Sequence, residues 1–264
     1  MGIGIGYPNL VTTSTTVSGG SWSVSLPATN VRTRDYSQVA RSSDALTAST
    51  QIRFDHGSAK SARALYIDGH NLSSAAQVRW SRGTTSGGTD VAQIGLVDAW
   101  RITPLVRSGR DHGVLLVLPA TYSARYDLLE IQDTGNAAGY VEVARVGIFD
   151  LTVPTYSPAY GLQDKLQSLS GVDRSTGGAL WINQQRSLRE VSFVLPYLSL
   201  TEGDGLHELQ RAAGLSEEVL YVPDLNDPAQ QQRFGFIGTI AEMSPVDYPY
   251  FRARSLPLRI IQAA

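Results

Sequence analysis

Between Arg125 and Asp150 the chain reads RYDLLEIQDTGNAAGYVEVARVGIFD, two apolar-patterned runs joined by a loop dense in turn formers. In the second run Val141, Val143, Val146 and Ile148 are apolar, with Glu142 and Arg145 between them. The alternation slips near Ala144–Val146, which predicts a bulge or burial on both faces. Asp133, Gly135, Asn136 and Gly139 suit a connection that needs positive φ and side-chain-to-backbone hydrogen bonds. A stretch of this kind is the closing hairpin of a β-sandwich. It holds no converging nucleophile, base and orienter.

The preceding sequence repeats the pattern in shorter units. SGGSWSVSL alternates around Trp22, Val24 and Leu26, and QIRFDHG, ARALYIDGHNL and AQVRWSRG each end in a turn signal. VDAWRIT and GVLLVLPATYSARY follow. Short strands broken by DHG, DGHN and RGTTSGG argue for an all-β sandwich rather than βαβ units. Seven or eight strands and no helix are expected before residue 155. The early GIGIG is no dinucleotide loop, because Pro8 and Asn9 stand where a helix would begin.

After Asp150 the texture changes. Residues 1–153 read as the sandwich, 154–179 as a linker, and 180–264 as a small α+β domain with an antiparallel sheet and one main helix. SLREVSFVLPYLS is an alternating strand. TEGDGLHELQRAAGLS is the helix, with Thr201 as N-cap, a stripe of Leu206, Leu209 and Ala213, and Gly214 at its end. PDLNDPAQQQR (223–233) reads as an acidic loop, either solvated or a contact element, and FGFIGTIAEMSPV and PLRIIQ as the last strands.

Composition excludes several chemistries. The 264 residues contain no cysteine, so disulfides, thiolate zinc sites and cysteine nucleophiles are absent together. A net charge of −2 gives no electrostatic reason to expect nucleic acid. No run of eighteen apolar residues would span a membrane, and MGIGIGYPNL lacks the basic n-region of a secretion signal. Only Lys60 and Lys165 among the basic residues are lysine. The arginine bias reflects either base composition or guanidinium forks at subunit interfaces.

His56, His70, His112 and His207 are the histidines, three of them in Asp/Gly turns where backbone geometry explains the neighbours. No G-x-S-x-G elbow exists. Glu130, Asp133, Glu142 and Asp150 are carboxylates that sequence cannot pair across a cleft. The expectation is a protein with no catalytic residues, no cofactor and no metal.

Two resemblances add to this reading. The order ATNVRTRDYSQVARSS, FDHG, ALYIDGHNLSSAAQVRW and IQDTGNAAGYVEVARVGIF is similar to the galactose-binding-like (discoidin-type) jelly rolls of tailed-phage tail proteins, over about the first 150 residues. The segments REVSFVLPYLS, RAAGLS, VLYVPDLNDP and FGFIGTIAEMSPVDYPYF resemble the C-terminal part of phage distal-tail or minor tail (baseplate) proteins. The resemblance implies a structural virion protein, assembled in the host cytoplasm into a ring of three or six copies that joins the tail tube to baseplate or fibre proteins. On that reading Tyr248, Tyr250, Phe251, Arg252 and Arg254 are candidate subunit-interface residues, Tyr and Arg being favoured at interfaces. The alternative is a carbohydrate-binding jelly roll recognising host surface glycan. Trp80, Trp100, Tyr122, Tyr126 and Tyr140 are then the candidate stacking aromatics, with Asn136, Asn71 and Arg79 as polar partners. The competing fate of these aromatics is burial, Trp80 above all because it alternates with Val78.

Overall fold

A computed structural model describes residues 2–263 except 106, 184, 186 and 251, with Tyr250 described by its backbone alone. The fold is mainly β. It divides into two compact units, one made of residues 3–153 and 222–236, the other of 154–221 and 237–264.

The first unit is a jelly-roll sandwich of eight strands: β1 Gly4–Asn9, β2 Thr16–Ser18, β3 Ala40–Arg41, β4 Ile52–His70, β5 Gln77–Gly83, β6 Ala92–Asp98, β7 Val114–Gln132 and β8 Glu142–Thr152. This matches the seven or eight strands expected. The strand order is β6-β5-β7-β4-β8-β1, with β2 on β4 and β3 on β8. Strands β4 and β7, nineteen residues each, pair along three stretches separated by register shifts between Asp55 and Lys60 and between Ala62 and Ala64. The first half of β4 lies beside β2 and the second half beside β8. Ile52, Phe54, Leu65, Ile67, Val78, Trp80, Leu116, Leu129, Ile131, Val143, Val146 and Ile148 come from both halves and bury into one core.

From Ala64 to His70 both faces of β4 are buried. Its outer face is covered by polar contacts: the Tyr36 hydroxyl donates to Asp68 Oδ2 at 3.0 Å and the Tyr66 hydroxyl to the Gly235 carbonyl at 3.3 Å. In β8 the run from Val143 to Phe149 is buried on both faces as well. The slipped alternation near Ala144–Val146 records that two-sided burial.

Where the β4–β7 pairing shifts register, one carboxylate ties the strands together. Asp127 is fully buried and accepts from Trp80 Nε1 at 2.8 Å, from Arg82 Nε at 2.8 Å and from Arg82 Nη2 at 3.3 Å. His56 Nε2 lies 2.8 Å from its other face. Arg82 spends its remaining donors on the carbonyls of Lys60, Ala62 and Tyr122. Both Asp127 oxygens and the Arg82 nitrogens find partners, as a buried ion pair requires, while the buried His56 Nδ1 finds none among the described residues.

The second unit contains β9 Gln163–Ser168, β10 Gly171–Arg174, β11 Leu180–Asn183, β12 Ser187–Leu198, α1 Leu200–Ala213, β13 Val219–Val222, β14 Phe236–Ile240, β15 Asp247–Tyr250 and β16 Ala253–Gln262. Its sheet runs β13-β14-β16-β12-β9 with β15 on β16, while β10 and β11 form a separate hairpin. Residues 163–168 and 171–174 of the expected linker are therefore strands. They are exposed throughout and carry no burial alternation to read. Helix α1 buries Leu206, Leu209 and Ala213 as expected, but its N-cap is Ser199, not Thr201. Ser199 and Glu202 form a capping box. Burial pushes the Glu202 carboxyl up, but hydrogen bonds from Ser199 and Thr155 outweigh it and bring it down to about 2.

The 223–233 stretch, expected as a loop, contains a second helix, α2 Pro228–Phe234, in the first unit. Asp227 caps it by accepting from Ala229 N and Gln230 N, and Pro228 occupies the first turn. Gln232 anchors it to residues 99–102, its Oε1 accepting from Arg101 N at 2.6 Å and its Nε2 donating to Ala99 O at 2.8 Å.

The Asp127 knot yields a contrast. Asp127→Asn leaves Arg82 buried without its counter-charge and is expected to cost about 3–5 kcal/mol. Asp55→Asn, which removes a partly exposed pair with Arg125, is expected to cost under about 1 kcal/mol. Denaturant unfolding followed by tryptophan fluorescence checks this; equal losses would show that the knot is not what holds the layers.

Candidate functional site

The loops that connect β4 to β5 and β7 to β8 meet at one end of the sandwich, and hydrogen bonds brace them into a frame. Asp133, 3% exposed, accepts from Ser73 N at 2.9 Å, from the Ser73 hydroxyl, and from Asn136 Nδ2 at 2.8 Å. Asn136 Nδ2 also reaches the Asn71 carbonyl at 3.1 Å. Asn71 in turn donates to the Tyr140 carbonyl at 3.1 Å and accepts from Glu142 N at 2.7 Å. Gly139, at φ +75°, lets the chain turn back into β8. Each amide is used internally, so the frame fixes the loops and leaves recognition to what it carries.

What it carries sits on the outward face of the β3–β8 pair, where Arg41 lies opposite Glu142. Arg41 Nε donates to Glu142 Oε1 at 2.7 Å, and the guanidinium lies 4.3 Å from the centroid of the Tyr140 ring. The Glu142 hydrogen bond raises the Arg41 pKa further above its ordinary value, so the plate keeps its charge. Arg41 is partly exposed, as are Tyr140 and Glu142. The result is a flat plate of guanidinium over phenol with a carboxylate at its edge. Such a plate offers in-plane donors and acceptors and an aromatic body, the set that hydroxyl-rich ligands use. It offers no nucleophile with a base. Among the described residues no group of three His, Asp or Glu side chains is placed to hold a metal ion.

The sequence candidates scatter. Trp80 is fully buried with its indole on Asp127, and Trp100 is buried with Nε1 donating to the Leu72 carbonyl at 3.2 Å. Both are core residues, not surface platforms, because their N–H groups find partners inside. Tyr122 packs against the core, and Tyr126 lies under Arg125 at 4.9 Å. Tyr126 is six residues before the end of β7, roughly 20 Å of extended chain from the loop end. Arg79 is taken by Glu130. Only Tyr140, Asn136 and Asn71 come together.

In the second unit Tyr248 is exposed and lies 5.1 Å from the Arg254 guanidinium, which also pairs with Asp204. Asp204, His207 and Tyr248 line one small cavity with Arg254. Arg252 is exposed. Phe251 and the Tyr250 side chain lie outside the described residues. Sequence reasoning missed Arg41 and Glu142 as a pair; their 101-residue separation leaves no local signal.

No protein-family model matches the sequence, and a search of curated proteins returns no match. Solved structures similar to the chain include the family 32 CBM from C. perfringens NanJ in complex with galactose, at 10% identity and a TM-score of 0.41, covering 55% of this chain and 99% of that one. CBM32-1 from a family 31 glycoside hydrolase of Clostridium perfringens is 14% identical with a TM-score of 0.37, over 52% of this chain and 94% of that one. CBM32 of AlyQ in complex with 4,5-unsaturated mannuronic acid is 18% identical with a TM-score of 0.36, over 51% and 93%. At these values neither the fold nor the site described above rests on the likeness.

Behind the frame, His70 is buried at the end of β4. Its Nε2 faces the His112 carbonyl at 3.2 Å and its Nδ1 accepts from Leu72 N at 3.3 Å. Burial lowers its pKa from 6.5 to about 4, against the opposing pull of the His112 carbonyl and Asp133. Below pH 6.5 the unfolded chain binds a proton that the folded chain refuses, so stability falls as pH drops from 6.5 towards 4 and the loss is complete below that. The total is about 3 kcal/mol. Unfolding free energies measured between pH 7.5 and 4.5 are expected to show that slope, and His70→Asn to flatten it. The range lies above the window, from 4.5 down to about 2, in which Glu202 loses its contribution.

Proposed function

We propose that this chain is a non-catalytic recognition protein whose jelly roll binds carbohydrate at its loop end. The observation that carries the reading is the Arg41–Tyr140–Glu142 plate, held on loops whose own amides are satisfied. A preorganised, partly exposed pair of charged planar groups suits vicinal hydroxyls, because hydrogen bonds to charged groups are stronger than neutral ones. Preformed loops also lower the ordering cost of binding. The second unit then serves as the attachment module.

A second reading is favoured by one specific observation. Residues 160–183 expose an unusual run of apolar side chains, among them Tyr160, Leu166, Val172, Leu180, Trp181 and Ile182. Surface of that kind belongs to assembly, and with the resemblance to tail proteins it supports a structural role in a phage tail tip or baseplate, among virion partners. The two readings are compatible in one chain.

Screening the intact protein on a glycan array tests the carbohydrate reading. Retention of a definable glycan set is expected, weakened about tenfold or more by Arg41→Ala or Tyr140→Ala, and unaffected by Tyr126→Ala. An array without retention, or retention indifferent to Arg41 and Tyr140, rejects the carbohydrate reading at this site.

A further inference from the structure

The hairpin β10–β11 is well formed and exposed along both strands. Gly171–Arg174 pairs with Leu180–Asn183 in regular antiparallel register. Its base is pinned where Gln185 N donates to the Ser170 hydroxyl at 2.9 Å, and its tip is closed by Ser175 N donating to Ala179 O at 2.9 Å. Two-stranded hairpins are marginal in water on their own. This one nevertheless places apolar residues outside: Trp181 is 70% exposed, Val172 and Ile182 60% each, and Leu166 on neighbouring β9 another 70%. By the register, Val172, Ile182 and Leu180 share one face of the hairpin and Trp181 stands on the other.

Several strand edges are open among the described residues, those of β9 and β10 among them. Strand β9 ends its sheet, pairing only with β12, and β10 pairs only with β11. Edges of this kind are templates for pairing unless something covers them. The sequences of the two edges complement each other. Set antiparallel, Asp164 of β9 faces Arg174 of β10, Lys165 faces Asp173, and Leu166 faces Val172. The same register extends a pattern already present across the sheet, since Glu190 of β12 stands beside Lys165 with an N–O distance of 3.0 Å. Adding β10 would complete a Glu190–Lys165–Asp173 ladder of alternating charge, and opposite-charge and apolar cross-strand pairs stabilise a sheet. Within one chain β9 and β10 do not pair.

We infer that β9 and β10 are the two halves of a self-recognition surface: β10 of one copy adds to the β9 edge of a second copy, and reciprocally, closing a two-fold dimer. Reciprocal exchange makes the contact isologous, so it closes and does not propagate into filaments. It is edge addition in which main-chain bonds supply affinity and the Asp164–Arg174 and Lys165–Asp173 pairs set the register. This inference stands apart from the carbohydrate reading and survives its failure.

The cysteine-free chain allows a direct test. Leu166→Cys and Val172→Cys are prepared as separate full-length variants, both at exposed positions, and oxidised alone and mixed. A disulfide-linked pair of 28.5 kDa chains is expected from the mixture and not from either variant alone, and Asp173→Lys with Arg174→Asp is expected to weaken dimerisation of the unmodified chain at least tenfold in sedimentation equilibrium. Circular dichroism confirms that the variants fold. A monomer at all concentrations, a dimer indifferent to the charge reversal, or cross-linking of each variant to itself as readily as in the mixture would overturn the inference.

Discussion

The sandwich depends on one buried carboxylate. Strands β4 and β7 shift register twice within a few residues, and there the backbone does not keep a regular ladder. Asp127 supplies what the ladder does not: it accepts from Trp80 and Arg82 on β5 and contacts His56 on β4, while Arg82 gathers the carbonyls that the register shift frees. A lone charge there would be costly, and a half-satisfied network worse than an apolar core. Pairing of both Asp127 oxygens with Trp80 and Arg82 turns the same low-dielectric setting into a rigid joint between β5 and β7.

From that joint the loop end inherits its precision. The core packs right up to the loops, with Trp100 and Leu72 beneath them, and the Asp133–Asn136–Asn71 chain of hydrogen bonds transmits the strand positions to Tyr140 and Arg41. Polar groups in this frame are consumed by structure, and the groups left over face outward. The second unit follows another logic. Its sheet runs from β13 to β9 with a register shift between Leu195 and Leu198, and ends on the exposed strand β9.

Much of the first unit was legible because burial writes period-two patterns into strands. In AQVRWSRG the alternation of Val78 and Trp80 marked both as core, which is why Trp80 was a poor ligand platform from the start. The loop end was legible too, since Asp133, Gly135, Asn136 and Gly139 cluster where only turn residues fit. Helix α2 was misread because seven residues are too short for periodicity; Asp227–Pro228, a cap followed by a first-turn proline, was its only signal. The capping box at Ser199 and Glu202 was present in the sequence but Thr201 competed for the same role. Exposed strands β9 to β11 have no buried face, so nothing distinguished them from a linker. The Arg41–Glu142 pair depends on tertiary register alone.

The measurement that reaches the central claim most directly is amide chemical-shift mapping of the isotope-labelled chain titrated with galactose, mannose, glucose and N-acetylglucosamine at millimolar concentration. The account predicts saturable shifts for at least one sugar, centred on Arg41, Asn71, Asn136, Tyr140 and Glu142. Shifts centred elsewhere, or none for any of the four, would contradict a carbohydrate site at the loop end.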